Sequence, residues 1–271
     1  MNCRSVLFPA LARSVMSDPM LTAQDIDQVR AAIAAHAQAQ FPQECCGLVV
    51  RLPSGVAYAP GENLAPGPQD AFVLAPHSWA AAEDEGQILA VVHSHPNASA
   101  HASMADRVLC ERSGLPWLIM GWPSGVMTRL DPVGWTAPLI GREFHHGVLD
   151  CYSLIRDYYG QELGLVLPDY PRSDDWWDKG QNLYRDNFAS AGFVEVQGQP
   201  DQHDVVLMRV GARVDNHAGV FVDGCFWHGC PKHGAQPKGN KEFWSLKLAT
   251  NKARDRRVDR QLRLKGWRVM T

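Results

Sequence analysis

The sequence predicts a protein of mixed α/β and α+β class with two domains, and three observations lead to this prediction. The chain has 271 residues, more than one compact domain usually contains. Short apolar runs typical of strands and periodic helical segments both occur in each half of the chain. A stretch at 131–141 with two prolines separates two different orders of elements, and we place the domain boundary close to residue 140.

The first predicted domain, residues 21–138, opens with an amphipathic helix. Thr22 is its predicted N-cap, Asp25 occupies the position that completes a capping box, and the helix ends before Pro42. Residues 1–20 have no signal-peptide layout, and we treat them as a disordered extension. The remaining predicted elements are strands at 47–50, 71–74, 88–93, 116–122 and 125–130, and a helix at 103–113.

The second predicted domain, residues 141–222, places its helices before its strands, which is typical of an α+β domain. Past it, the Asp223-Gly224 pair predicts a tight hairpin, and a basic helix is expected at 241–265. The predicted elements of the domain are helices at 150–163 and 180–192 and strands at 193–196, 204–210 and 217–222.

Charge is distributed unevenly along the chain. Residues 219–271 hold twelve Lys/Arg and four Asp/Glu, a net of +8, and the overall charge of −3 leaves −11 for residues 1–218. The basic end could bind phosphate, although a solvated helix is the commoner explanation. Seven irregularly spaced cysteines indicate reduced thiols rather than a disulfide framework, and no apolar run reaches the ~20 residues of a membrane span.

The stretch HSHPNASAHASMAD combines residue types that bind zinc. His93 and His95 lie two residues apart on a predicted strand, so both imidazoles can face one ion. Asp106 lies one turn into the helix that starts near Ser103, where its carboxylate can supply a third ligand. Such a set leaves a fourth zinc position open, as in catalytic sites, and Glu44 before the first sheet strand is the expected base.

These residues resemble the signature of the JAMM (MPN) metallopeptidases, a distant Glu followed by His-x-His-Pro, six residues and Ser-x-x-Asp. The resemblance implies that His93, His95 and Asp106 bind Zn²⁺ and that Glu44 is the general acid/base. Ser103 would then help to position the water or the developing oxyanion. His101, in the intervening loop, is expected to take no part. The competing interpretation is two histidines at a strand end beside an ordinary helix cap.

A second constellation centres on a thiol. In GVLDCYSL, Asp150 can cap a helix whose first turn contains Cys151, and a helix N-terminus stabilises a thiolate. His217, on a later strand, is a candidate base, while a buried inert cysteine is the alternative. DCYSL followed by DNHAGVF resembles the NlpC-type papain-like cysteine peptidases, which implies Cys151 as nucleophile and His217 as base.

The order of the two domains resembles the tail-tip assembly proteins (protein K) of lambda-like phages, and the segments RSDDWWDKGQNLYRDNFASAGF and GVLDCYSLIRDYY are similar to theirs. This resemblance covers about residues 22–222. It implies phage tail-tip proteins and peptides of bacterial peptidoglycan as partners. It places the protein in the host cytoplasm during assembly and at the virion tail tip.

From residue 223 to the end, CFWHGCPKHG and ARDRRVDRQLRLKGWRVM resemble the very-short-patch repair (Vsr) endonucleases. By that resemblance His228 and Asp255 match catalytic residues, and a second metal would draw on Cys225, Cys230 and His233. The metal-binding Asp of that family has no counterpart here, so we expect a fragment limited to weak DNA contacts through the basic helix. In the predicted hairpin His228 lies diagonal to His217, which makes His228 a candidate third member of the cysteine site.

The sequence therefore predicts a tail-tip hydrolase with a zinc metallopeptidase site and a cysteine peptidase site that act on cell-wall peptides. Two alternatives stay open. The protein could be a catalytically impaired assembly module, or an incomplete DNA mismatch endonuclease of the Vsr type.

Overall fold

The computed structural model describes residues 21–198 and 200–222, together with seven positions between 246 and 260. Among these residues two compact units form. One contains the residues up to Phe193 together with Arg209–His217, and the other contains Val194–Met208 together with the described residues from Ala218 on. Helices and strands occur in a mixed arrangement, which confirms the predicted fold class. The predicted division at residue 140 stays a prediction.

A five-stranded mixed sheet is the centre of the first unit, with strand order β2-β1-β3-β4-β5. Only the β3–β4 pair is parallel. The helix that connects these two strands, α3, therefore crosses over one face of the sheet. The strands are β1 (Cys46–Leu52), β2 (Gly55–Gly61), β3 (Gln87–Pro96), β4 (Trp117–Trp122) and β5 (Met127–Leu130).

Helix α1 (Ala23–Gln40) covers one face of this sheet. Thr22 caps it, since the Thr22 hydroxyl accepts from the Asp25 backbone and the Asp25 carboxylate accepts from the Thr22 backbone. The predicted capping box is thus confirmed. Val29 and Ile33 are buried against sheet residues such as Val49 and Leu118.

Two shorter helices, α2 (Pro76–Glu85) and α3 (Met104–Ser113), contribute Ala82 and Cys110 to the core on the opposite face. Leu48 and Val50 belong to this core while Val49 belongs to the other, as strand alternation requires. Both faces of the sheet are therefore covered by helices.

One prediction for this region was wrong, and one strand was not predicted. The run 71–74 is not a strand but a loop with one isolated bridge between Asn63 and Leu74, and its side chains Phe72 and Leu74 pack against the core on the sheet face. Strand β2 was missed, and it contains Pro60, a residue type that is rare inside strands. Because β2 is an edge strand, the proline removes no hydrogen bond from the sheet interior.

The later region begins with helix α4 (Cys151–Leu163), which starts where the sequence predicts. A single 3₁₀ turn (Trp176–Asp178) and the short helix α5 (Leu183–Asn187) follow, so the helix predicted at 180–192 is only five residues long. Strands β6 (Val205–Met208) and β7 (His217–Val220) form a two-stranded sheet. The run 193–196 lies outside any strand, and Val194 and Val196 are exposed, which corrects that prediction.

Near the C-terminus seven described positions are helical, within the predicted basic helix, and their side chains are exposed. They are Leu246, Ala249, Thr250, Ala253, Arg256, Arg257 and Arg260. The predicted Asp223-Gly224 hairpin lies outside the described residues. Among the helices that the structure describes, none combines the length and apolar character that a bilayer span requires.

Candidate active sites

The first candidate site lies at the carboxyl end of β3. Alternation along the strand puts His93 and His95 on the same side as Val91, facing the core that α2 and α3 cover. Their Nε2 atoms are 3.0 Å apart. His93 is fully buried, whereas His95 is half-buried at the rim of the site. The i, i+2 spacing in the sequence thus becomes a pair of convergent imidazoles.

Helix α3 brings a carboxylate to this pair. Ser103 caps the helix and forms a capping box with Asp106, whose Oδ2 accepts 2.8 Å hydrogen bonds from the Ser103 backbone N–H and hydroxyl. The Asp106 carboxylate oxygens lie 3.3 Å from His93 Nε2 and 3.5 Å from His95 Nε2. The crossover from β3 to β4 fixes this arrangement, because it starts α3 beside the end of the strand that carries the histidines.

Hydrogen bonds to outer partners orient two of the three side chains, His95 and Asp106. His95 Nδ1 lies 2.9 Å from the Ser99 carbonyl oxygen, which can only accept, so Nδ1 carries a proton and Nε2 faces the site. Burial alone would raise the pKa of Asp106, but hydrogen bonds from His93, His95 and Ser103 outweigh it and hold that pKa well below its usual range. The carboxylate is therefore ionised.

His93 is held mainly by packing. Its ring stacks on Phe72 at 4.7 Å and meets Trp117 edge-on at 5.4 Å. Burial lowers the pKa of His93, although hydrogen bonding to Asp106 opposes this shift. In the described part of the chain its buried Nδ1 has no hydrogen-bond partner, so the only polar contacts of the ring are at Nε2, toward His95 and Asp106. A neutral imidazole is the form that binds a metal.

The donor set fits a zinc ion. One ligand atom from each of His93, His95 and Asp106 lies within 4.8 Å of the other two. Bonds of 2.0–2.1 Å at tetrahedral angles require ligand atoms about 3.3 Å apart, and His93 Nε2 lies 3.0 Å from His95 Nε2 and 3.3 Å from Asp106 Oδ1. Two imidazoles and one carboxylate also match the ligand preference of zinc.

Glu44 lies at the entrance to β1 and is buried, with 6% of its surface exposed. Its backbone N–H donates to the Pro68 carbonyl, and its own carbonyl accepts from the Asn63 side chain at 3.1 Å. Burial raises the pKa of Glu44 to about 8, while the charge of His95 lowers it and that of Asp106 raises it further. The carboxyl is thus close enough to His95 and Asp106 to respond to their charges.

The second candidate site lies at the start of α4. Asp150 caps the helix, accepting from the Ser153 N–H at 2.9 Å, and Cys151 is the first helical residue. Arg172 forms a bidentate ion pair with the buried Asp150 carboxylate. Burial opposes ionisation of Asp150, but Arg172 and the capped N–H groups lower its pKa to about 2. The thiol therefore sits at a firmly capped helix N-terminus.

Two side chains contact the Cys151 thiol. Its Sγ lies 3.1 Å from the Tyr184 hydroxyl oxygen on α5. His217, the first residue of β7, hydrogen-bonds with Cys151, which raises the pKa of His217, whereas burial opposes this shift. The structure thus brings together the predicted nucleophile and the predicted base.

The remaining predicted residues are His101, which the structure describes, and five residues that lie outside the described part of the chain. His101 is exposed and its Nδ1 lies 3.1 Å from Ser99 Oγ, in keeping with the expectation that it takes no part. His228, Asp255 and the second candidate metal set lie outside the described residues; that set is Cys225, Cys230 and His233.

Sequence reasoning missed several side chains at the two sites. Phe72 and Asn63 lie in the loop that was read partly as a strand, while Arg172 and Tyr184 lie 21 and 33 residues after Cys151. Contacts over such separations depend on tertiary packing, and no local spacing indicates them. Of these residues, only Phe72 carries a signal in the sequence: it lies in the apolar run 71–74, which indicates a buried side chain.

Family comparisons agree with the positions of the two sites. Residues 27–133 match the model of prokaryotic homologs of the JAB domain, and residues 141–253 match the NlpC/P60 family. His93, His95 and Asp106 fall within the first match, and Cys151 and His217 fall within the second.

Three relatives describe the chain further. It is 40% identical over 195 residues to tail tip assembly protein K of Escherichia phage N15, covering 71% of this chain and 80% of that protein. It is 37% identical over 200 residues to tail tip assembly protein K of Escherichia phage lambda, covering 72% and 92%. The Vsr-like segment matches the type II nicking enzyme V.NaeI of Lentzea aerocolonigenes, with 57% identity over 51 residues, 19% of this chain and 31% of that enzyme.

The first two relatives are matched over most of their length, and the two domain matches follow each other along the chain. The Vsr-like match is confined to a fifth of the chain and a third of the enzyme. The chain belongs to the tail tip assembly protein K family and carries a JAB domain followed by an NlpC/P60 domain.

Proposed function

We propose that the protein is a hydrolase of phage tail-tip assembly with two peptidase sites, one zinc-dependent and one cysteine-dependent, which act on peptides of the bacterial cell wall. The observation that carries the proposal is the convergence of His93, His95 and Asp106 beside a buried carboxyl, Glu44. Tail proteins are its proposed partners, and its proposed places of action are the host cytoplasm during assembly and the tail tip.

In the JAB domain His93, His95 and Asp106 would hold the zinc ion, which supplies Lewis acidity for peptide hydrolysis. Glu44 has the pKa of a group that can both accept and release a proton near neutral pH. It takes a proton from the attacking water and gives it to the departing amine nitrogen. Ser103 keeps Asp106 in position through the capping box, which is a positioning role.

In the NlpC/P60 domain Cys151 is the proposed nucleophile. The N-terminus of α4 and the adjacent His217 both favour the thiolate, since each places positive charge or N–H donors near sulfur. Cys151 Sγ attacks the peptide carbonyl, and His217 gives its proton to the leaving amine. A backbone N–H near Cys151 would stabilise the oxyanion.

A zymogram on purified peptidoglycan tests the proposal. The full chain should clear the substrate, Cys151→Ala should abolish the cysteine-dependent part, and a chelator or Glu44→Gln should abolish the zinc-dependent part. His101→Ala is a matched control, because His101 is an exposed histidine in the loop that joins β3, which carries His93 and His95, to α3, which carries Asp106. Clearing that survives both Cys151→Ala and the chelator would refute both site assignments.

The second candidate function is an assembly module without catalysis. The similarity to proteins that are named for tail tip assembly favours it, because that role needs no bond cleavage. Complementation of a phage that lacks its own protein K separates the two functions. A double variant, Cys151→Ala with Glu44→Gln, that restores full infectivity would favour the assembly module over the hydrolase.

A further inference from the structure

The Cys151 thiol has a second hydrogen-bonding neighbour in addition to His217. The Tyr184 hydroxyl oxygen lies 3.1 Å from Cys151 Sγ, within hydrogen-bond range for sulfur. The Tyr184 ring packs edge-on against Tyr152 and Trp176, with ring centroids 6.3 and 6.0 Å away. This packing restricts rotation of the Tyr184 ring and keeps its hydroxyl group directed at sulfur.

Helix α5 is tied to the chain that carries His217. Arg185, the next residue after Tyr184, donates from Nε to Asp215 Oδ2 at 2.8 Å, and Arg209 donates to Asp215 Oδ1 at 2.9 Å. Asp215 is buried and lies two residues before His217. Neighbouring residues of one short helix thus contact the thiol and the segment that positions its base.

The direction of the Tyr184 hydrogen bond follows from proton counting. When the Cys151 proton has moved to His217, sulfur has no hydrogen left to donate, so the Tyr184 O–H must be the donor. Burial raises the pKa of Tyr184 far above neutrality, and the charge of Cys151 raises it further. The phenol therefore keeps its proton and acts as a neutral donor to an anion.

We propose that Tyr184 is a further catalytic residue of the cysteine site, where its O–H stabilises the Cys151 thiolate and then the oxyanion of the substrate. This inference rests on the cysteine peptidase function proposed above. As the S–C bond forms, the π pair of the carbonyl moves to oxygen. That oxygen is two bonds from sulfur, so a donor 3.1 Å from Sγ is within reach of an oxyanion that forms on the Tyr184 side of the thiol. Tyr184 keeps its proton throughout, and His217 protonates the amine as the C–N bond breaks.

The pH dependence of Cys151 alkylation by iodoacetamide tests this role without requiring a substrate. The reaction is followed on the Cys151 peptide by mass spectrometry, so the other cysteines do not interfere. Loss of a hydrogen bond to a charged group in Tyr184→Phe should raise the apparent pKa of Cys151 by about one unit. The alkylation rate near pH 6 should fall roughly tenfold.

Tyr152→Phe is the matched control. It removes a hydroxyl from the same aromatic cluster, but that hydroxyl donates to the Pro168 carbonyl at 2.7 Å instead of to sulfur. The control should leave the alkylation profile unchanged. Identical profiles for Tyr184→Phe and the unsubstituted protein would overturn the inference, and so would equal shifts in the two variants.

The hydrolase proposal fails separately. Suppose that neither the unsubstituted protein nor any variant cleaves peptidoglycan, but Tyr184→Phe still shifts the alkylation profile. The cysteine peptidase function is then refuted, whereas the hydrogen bond from Tyr184 to the thiolate is supported. If cleavage depends on Cys151, and Tyr184→Phe changes neither the pH profile of alkylation nor the cleavage rate, only the role of Tyr184 is refuted.

Discussion

Each of the two sites depends on one buried carboxylate whose charge is fixed by its donors. Asp106 is kept ionised by two imidazoles and the Ser103 cap, so it can face a cation. Asp150 is kept ionised by Arg172 and by the first turn of α4, so it holds the helix end beneath the thiol. Replacing either carboxylate would leave its buried donors unpaired, which costs more than the hydrogen bond itself is worth.

Asp150 should make the stability of the protein pH-dependent. Its pKa is lowered to about 2 in the folded chain, against about 3.9 when unfolded, so its contribution is present above the unfolded pKa and is lost as pH falls. Urea unfolding of Asp150→Asn should show a deficit of about 2–3 kcal/mol at pH 6 that shrinks toward pH 3. A deficit that is constant from pH 6 to pH 3 would contradict this assignment.

Helices α1 and α3 both begin with a capping box, but the aspartate of each box contacts different residues. In both, a hydroxyl at the N-cap and an aspartate at N3 exchange hydrogen bonds. In α1 the aspartate contacts Arg51 at the surface of the sheet, whereas in α3 it lies between two histidines. A motif that normally only starts a helix therefore also orients a candidate metal ligand.

This pair of caps provides a matched experiment. Thr22→Ala and Ser103→Ala should each destabilise the chain by about 1 kcal/mol, as loss of an N-cap does. Only Ser103→Ala should also weaken zinc binding, by roughly 10- to 100-fold, because it removes an outer-shell partner of Asp106. Competition with a chromogenic chelator measures the affinity. Equal zinc affinities in the two variants would remove the positioning role of Ser103.

Across the whole molecule, the features that the sequence predicted correctly depend mostly on residues that are close together in the chain. The His93–His95 alternation and the Ser103–Asp106 helix start are local patterns, and the structure places all four residues together. Errors arose where tertiary packing decided the outcome. The apolar 71–74 run is a loop in which Phe72 stacks on His93. Tyr184 contacts Cys151 from 33 residues further along the chain, and no local spacing predicts that contact.

The C-terminal segment should not make the protein a nuclease. It matches 31% of the nicking enzyme V.NaeI, and by its resemblance to the Vsr endonucleases we expect it to lack the metal-binding aspartate that such an enzyme needs. We expect no nicking of a T:G-mismatched duplex with Mg²⁺ or Mn²⁺, and weak binding that falls steeply with salt. Nicking that disappears in His228→Ala would overturn this expectation.

The central claim is that His93, His95 and Asp106 bind one zinc ion. Zinc K-edge absorption of the purified full chain tests it most directly, because N/O ligands at 2.0–2.1 Å are distinguished from cysteine sulfur at about 2.3 Å. We predict an N/O-ligated ion that is lost in His95→Ala and retained in His101→Ala. Zinc bound only through sulfur, or an N/O-ligated ion that persists in His95→Ala, would contradict the claim.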